Sequence, residues 1–239
     1  MGEHIVKSFD EDLDNLRRSI SEMGGIAEKM TVDSSDALVR RDATLAEAVI
    51  TADKRLDVLQ RQIEENAVLV IARRQPIAID LRETVSVIRV ASDLERIGDL
   101  AKNVAKRVVA ISEEIQPQKI VLGVQHMSDL VQEQLKDVLD AYASRDTQAA
   151  NDVWGRDGAV DALYNSLFRE LLTYMMEDPR NISFCTHLLF CAKNIERIGD
   201  HTTNIAETIY YLVTGETLAG DRPKDDASNY ATIAQPARA

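Results

Sequence analysis

The pentapeptide Glu-Arg-Ile-Gly-Asp occurs twice, at Glu95 to Asp99 and at Glu196 to Asp200, an offset of 101 residues. The correspondence extends well beyond it. Arg41-Asp42 recurs as Arg145-Asp146, and Asp53 with Asp57 recurs as Asp157 with Asp161, all at an offset of 104, so three residues are lost before the second pentapeptide. A chain of 239 residues organised this way consists of two copies of one unit of about a hundred residues, the size of a small domain. The stretch Glu114-Ile115-Gln116-Pro117-Gln118 is the natural joint and divides the chain into units at 1–116 and 119–217. The remainder, 218–239, has two prolines, mixed charge and little apolar content, which predicts a disordered tail.

The units read as all-α. Apolar residues recur with alternating steps of four and three, as in Phe9, Leu13, Leu16, Ile20, Met23, Ala27, Met30 and in Val87, Ala91, Leu94, Gly98, Ala101, Ala105, Val108. Such narrow seams belong to long helices packed at shallow angles. Only 5% of residues are aromatic, and none of the five prolines interrupts a long periodic segment, where it would break a helix. The pattern predicts two tandem, pseudo-symmetric three-helix bundles, with helices at 9–40, 44–74 and 77–113, then at 119–143, 147–176 and 180–214. Pro76 and Pro179 mark a turn inside each half, and Thr44 with Glu47 has the spacing of a capping box at the second helix start.

Within a helix, Glu and Asp at i and i+4 lie one turn apart on one face, so each pentapeptide presents two carboxylates to the same place. If the second and third helices form an antiparallel hairpin about Pro76, Asp57 faces Glu95 and Asp53 faces Asp99 at matching heights, since both pairs are symmetric about position 76. In the second half, Asp161 with Glu196 and Asp157 with Asp200 are both symmetric about the Asp178-Pro179 junction. The three-residue deletion has shortened both arms and kept the registration. Each carboxylate follows a seam position, as Asp57 follows Leu56 and Glu95 follows Leu94, so it lies beside the apolar contact. Packed helices are about 8–10 Å apart. Facing carboxylates at that spacing can share a cation, and four together repel one another unless protonated or neutralised.

Asp53, Asp57, Glu95, Asp99, Asp157, Asp161, Glu196 and Asp200 are therefore candidate metal ligands. An all-oxygen donor set suits divalent or trivalent ions such as iron, manganese, magnesium or calcium ahead of zinc, because no His or Cys stands at an equivalent place in both halves. The competing reading is ion pairing of the same acids with Arg96, Arg197, Lys102 or Lys193. A mid-helix glycine costs roughly 1 kcal/mol relative to alanine. Gly98 and Gly199, inside the two pentapeptides, therefore predict that another backbone passes close by.

A formal net charge of −12 and a pI near 4.8 argue against a nucleic-acid partner. No apolar run is long enough to span a membrane, and the N-terminus lacks the apolar core of a signal peptide, so a cytoplasmic location is expected. Cys185 and Cys191 read as reduced core residues, not as a metal or redox motif. His201 follows Asp200, but its counterpart in the first half is Leu100, so it reads as a polar surface or locally hydrogen-bonded residue. Asp80 lies in the first turn after Pro76, where an acid favours the helix dipole.

Taken together, the duplicated Glu-Arg-Ile-Gly-Asp followed by Asn103 and Asn204, the segment Pro76-Ile77-Ala78-Ile79-Asp80-Leu81-Arg82 and the Met23-Gly24 pair resemble the PhoU family of phosphate-specific transport accessory proteins over roughly residues 5–216. The resemblance implies a PhoU-like pair of three-helix bundles, a homodimer and multinuclear metal sites at the acid motifs. It also implies a non-enzymatic negative regulator of phosphate uptake and of the phosphate-starvation response. Such a protein works between the phosphate ABC transporter and a sensor histidine kinase, meeting the membrane only through these partners. In the second half Pro179-Arg180-Asn181-Ile182 departs from the Pro-to-Arg segment of the first, so a role for Asp80 and Arg82 is not carried over there. The alternative class, a carboxylate-bridged di-metal oxidase or metal-storage bundle, would also use helical acids. Its usual Glu-x-x-His pairs do not occur in this chain.

Overall fold

The computed structural model describes residues 2–111 and 118–218, with side chains for 9–111 and 120–218. Seven α-helices and one short 3-10 turn make up these residues: α1 Gly2–Arg40, α2 Ala43–Arg74, α3 Ala78–Ile111, α4 Gln118–Ser144, α5 Thr147–Gly155, α6 Asp157–Glu177 and α7 Ile182–Thr214, with the turn at Pro179–Asn181 before α7. No strand occurs among them. The joint at 114–118, apart from Gln118, and the tail from 219 onward lie outside the described residues.

The predicted seams are the observed core. Leu13, Leu16, Ile20, Met23, Ala27 and Met30 of α1 are buried against Val87, Ala91, Leu94, Ala101, Ala105 and Val108 of α3. In the first half α1, α2 and α3 pack on one another, and in the second half α4, α5, α6 and α7 do so. The halves share one continuous core because α3 lies along α7 and α1 along α4. The α3–α7 contact is antiparallel. The Arg89 guanidinium lies over the Tyr211 ring at 5.2 Å, Asp93 meets His201, and Arg107 lies over Phe190 at 4.5 Å, so rising numbers on one helix meet falling numbers on the other.

The repeated Arg-Asp dipeptide is a helix corner. Arg41 and Arg145 both adopt the left-handed conformation at φ 56°, ending α1 and α4. The next amide closes the turn, Asp42 N–H to the Ala37 carbonyl and Asp146 N–H to the Ala141 carbonyl, each at 3.0 Å. The aspartate side chain then caps the following helix: Asp42 accepts from Leu45 N–H at 2.9 Å, and Asp146 accepts from the amides of Gln148 and Ala149. The cap of α2 is thus Asp42, two residues before the expected Thr44. A carboxylate at the earlier position already reaches the free amides of the first turn.

The helix expected at 147–176 is interrupted. Arg156, at φ −88° and ψ −2°, separates α5 from α6, whereas α2, the corresponding arm of the first half, is continuous. Gly155 and Gly158 weaken the helix locally. The Gln134 side chain of α4 donates to the Arg156 carbonyl at 3.2 Å, which satisfies a backbone acceptor at the break.

Candidate metal-binding acid clusters

The hairpin registration brings Asp53 and Asp57 of α2 near Glu95 and Asp99 of α3, and Asp161 of α6 near Glu196 and Asp200 of α7, with Asp157 of α6 tied to α7 through Thr203. In the first group Lys102 Nζ sits between the helices, 2.6 Å from Asp53 Oδ2 and 2.5 Å from Asp99 Oδ1. One ammonium thus ties together the two acids that the symmetry about position 76 places opposite each other. Burial alone would lower the Lys102 pKa, but the hydrogen bonds and charges of Asp53 and Asp99 outweigh it and push it up to about 12. Glu95 is held above the usual carboxylate range by burial first and then by Asp99, with Asp57 and Asp53 adding to the effect and Arg96 opposing it. Arg96 reaches Glu95 at 3.6 Å and Asp99 at 3.4 Å from a largely exposed position.

The second group is arranged differently. The residue equivalent to Lys102 is Thr203, whose hydroxyl donates to Asp157 Oδ1 at 3.1 Å and to the Gly199 carbonyl at 3.1 Å. Lys193 donates to Glu196 Oε1 at 2.8 Å while its ammonium also lies 4.8 Å from the centre of the Tyr164 ring. Glu196 Oε2 is buried and has no hydrogen-bond partner. Burial raises the Glu196 pKa, with Asp200 and Asp161 raising it further against the opposing Lys193.

The ion-pair reading therefore holds for Lys102, Lys193 and Arg96. As the side chains stand, no three acidic, His or Cys groups among the described residues converge tightly enough to hold a metal ion. The donor chemistry nevertheless fits a hard cation in the second group, because a buried carboxylate oxygen there lacks a donor and two further acids lie within electrostatic reach. In the first group the place of a cation is taken by Lys102.

The two glycines do not serve a close backbone. At Gly98 a Cβ would fall 2.2 Å from Leu56 Cδ1, so a buried side chain from α2 occupies the space. At Gly199 the nearest atoms, on Val131, Gln134 and Val160, are 3.6–3.7 Å away, ordinary contact distance. His201 likewise differs from expectation. Its Nδ1 lies 2.8 Å from Asp93 Oδ1 on α3, and Asn204 Nδ2 donates to the same oxygen at 3.3 Å, so it joins the two halves. Sequence reasoning also missed Glu83. This buried acid binds Arg17 of α1 at 2.5 Å and Arg145 of the second corner at 2.6 Å. The only available signal was an acid on the buried side of the α3 seam. Cys185 and Cys191 are buried and free, as expected. A cleft of about 540 Å³ lined in part by Arg89, Asp93 and Glu207 contains none of the eight acids.

Fold and site together define a duplicated all-α bundle protein with one registered carboxylate cluster per repeat. The PhoU domain matches this chain twice, over residues 20–108 and 124–209, and the chain belongs to the PhoU family. It is 60% identical over 226 residues, 95% of both chains, to the phosphate-specific transport system accessory protein PhoU homolog of Rhizobium meliloti (strain 1021). It is 53% identical to the homolog of Caulobacter vibrioides (strain NA1000 / CB15N), covering 95% of this chain and 98% of the other. The crystal structure of PhoU from Pseudomonas aeruginosa superposes with a TM-score of 0.85 at 41% identity, covering 87% of this chain and all of that one. No helix among the described residues is long and apolar enough to cross a membrane.

Proposed function

We propose that this protein is a regulatory accessory component of phosphate-specific transport, a negative regulator of phosphate uptake and of the phosphate-starvation response. The observation that carries this reading is the 60% identity over 95% of both chains to a protein named as such an accessory factor. It works in the cytoplasm as a homodimer and an adaptor, receiving the state of the phosphate ABC transporter and passing it to a sensor histidine kinase through protein surfaces. A surface with net charge −12 is suited to neither nucleic acid nor anionic lipid. It is not an enzyme.

Metal ions at the carboxylate clusters belong to the same reading. Asp157, Asp161, Glu196 and Asp200 would hold an oxygen-seeking ion such as iron, manganese or magnesium, and Asp53, Asp57, Glu95 and Asp99 form the equivalent set. A bound cation would supply the positive charge that lets clustered carboxylates stay ionised across a helix hairpin.

Deleting the gene tests the regulatory role. Phosphate-starvation genes should then be expressed in phosphate-rich medium, the effect should require the sensor kinase, and the intact gene should restore silencing. Silencing that persists in the deletion strain, with no second copy present, overturns the assignment.

A further inference from the structure

The groove between α3 and α7 is charged oppositely at its two ends. Toward the start of α3 it opens into the cleft of about 540 Å³, where Glu64, Asp93 and Glu207 accompany Arg89 and the Tyr211 ring. The repeats define the matching place at the other end, at an offset of 104 from α2 and of 101 between α3 and α7. There Phe168 stands for Glu64, Phe190 for Arg89, Lys193 for Ser92, and Lys106 and Arg107 for Glu207 and Thr208. Three acids and one base thus correspond to three bases and no acid. Phe190 is 47% exposed, and the Arg107 guanidinium lies over its ring at 4.5 Å. Arg89 and Arg107 are 18 residues apart, five full turns, so they leave α3 on the same side, roughly 27 Å from each other.

We propose that this face is where a second copy of the chain docks, with Phe190 and Arg107 of each copy entering the acidic cleft of the other. This rests on the homodimer reading above and names its surface. Because the cleft and the exposed aromatic share one side of one helix, a single two-fold axis lying in the face midway between them brings both contacts together at once. That is the self-complementarity a two-fold interface requires. The cleft offers Ile88 and Leu218 to the Phe190 ring and carboxylates to the guanidinium. An exposed aromatic beside an arginine is the kind of group that dominates interface energies, and the unlike charges around it fix the register.

The test measures association of the full-length chain by analytical ultracentrifugation at low and high salt. Wild type should dimerise, and salt should weaken the dimer because unlike charges face each other across it. Phe190→Ser should raise the dimer dissociation constant about ten-fold or more. Arg107→Glu and Glu64→Lys should each do the same, since each sets like charges against one another in both contacts. Mixed in equal amounts, those two variants should form a heterodimer close to wild type in strength, because every contact in it again joins unlike charges. Misfolding of either variant could not produce that rescue. Single variants that dimerise like wild type, or a mixture that does not recover, overturn this surface while leaving a homodimer standing. A wild-type chain that stays monomeric overturns the dimer reading as well.

Discussion

Replacing each pentapeptide glycine by alanine should change stability in opposite directions. Removing a mid-helix glycine is worth roughly 0.5–1 kcal/mol at either site. At Gly199 the new methyl finds its nearest neighbours 3.6–3.7 Å away, so Gly199→Ala should keep that gain. At Gly98 it would fall 2.2 Å from Leu56 Cδ1, and Leu56 is fully buried, so moving its methyl aside disturbs packed neighbours. Overpacking of this kind costs about 1–3 kcal/mol. The helix-propensity gain cancels in the comparison, so Gly98→Ala should be about 1–3 kcal/mol less stable than Gly199→Ala, roughly 2–12 °C in Tm for a chain of this size. Thermal unfolding of the metal-free variants followed by far-UV circular dichroism measures it. The double variant Gly98→Ala with Leu56→Val, which imports the Val160 solution, should recover stability beyond the sum of the single changes. Equal melting shifts for the two glycine variants, or strict additivity in the double variant, would refute the packing argument.

Three further outcomes are expected. Glu83→Ala should cost about 2 kcal/mol in urea unfolding, below the ~3–5 of a fully buried pair because Arg17 and Arg145 both reach water, and a loss under about 0.5 kcal/mol would count against its tying the halves together. In metal-free protein Glu196→Gln should raise stability at neutral pH. The folded-state pKa of Glu196 is raised, so its charge opposes folding above that value, and the benefit should fade as pH falls through it; a benefit that grows on acidification has the wrong sign. Neither thiol should react with a disulfide reagent at pH 8 until the protein unfolds, since both are buried and burial pushes the Cys191 pKa up to about 12; rapid labelling of the folded protein contradicts this placement.

Much of the fold is legible because it depends on local period and symmetry. The steps of four and three mark the buried faces of α1 and α3, and the symmetric positions about Pro76 place Asp53 opposite Asp99, where Lys102 now bonds both. What was not legible depends on partners distant in sequence. The break at Arg156 needs Gln134 from another helix, and the role of Glu83 appears only when Arg17 and Arg145 converge on it. The backbone approach expected at Gly98 and Gly199 does not occur, because the space beside Gly98 is taken by the side chain of Leu56, a neighbour set by the size of residue 56 on another helix. The Arg-Asp dipeptide shows the limit most plainly. It stood out as a repeat, yet a left-handed arginine is not suggested by residue type, and only the following aspartate pointed to a cap.

A cluster of like charges between two packed helices has three routes to neutrality: protonation, an internal cation or a bound one. The first repeat has taken the second route, with Lys102 bonded to both Asp53 and Asp99. The second repeat has Thr203 in place of Lys102 but Lys193 in place of Ser92, and Lys193 donates to Glu196 at 2.8 Å. Both hairpins thus carry an internal ammonium, bridging facing acids of α2 and α3 in the first and held by an acid of α7 in the second. The two hairpins are joined across the antiparallel α3–α7 contact, where Asp93 of α3 holds His201, next to the second acid motif, and Asn204 one turn further on.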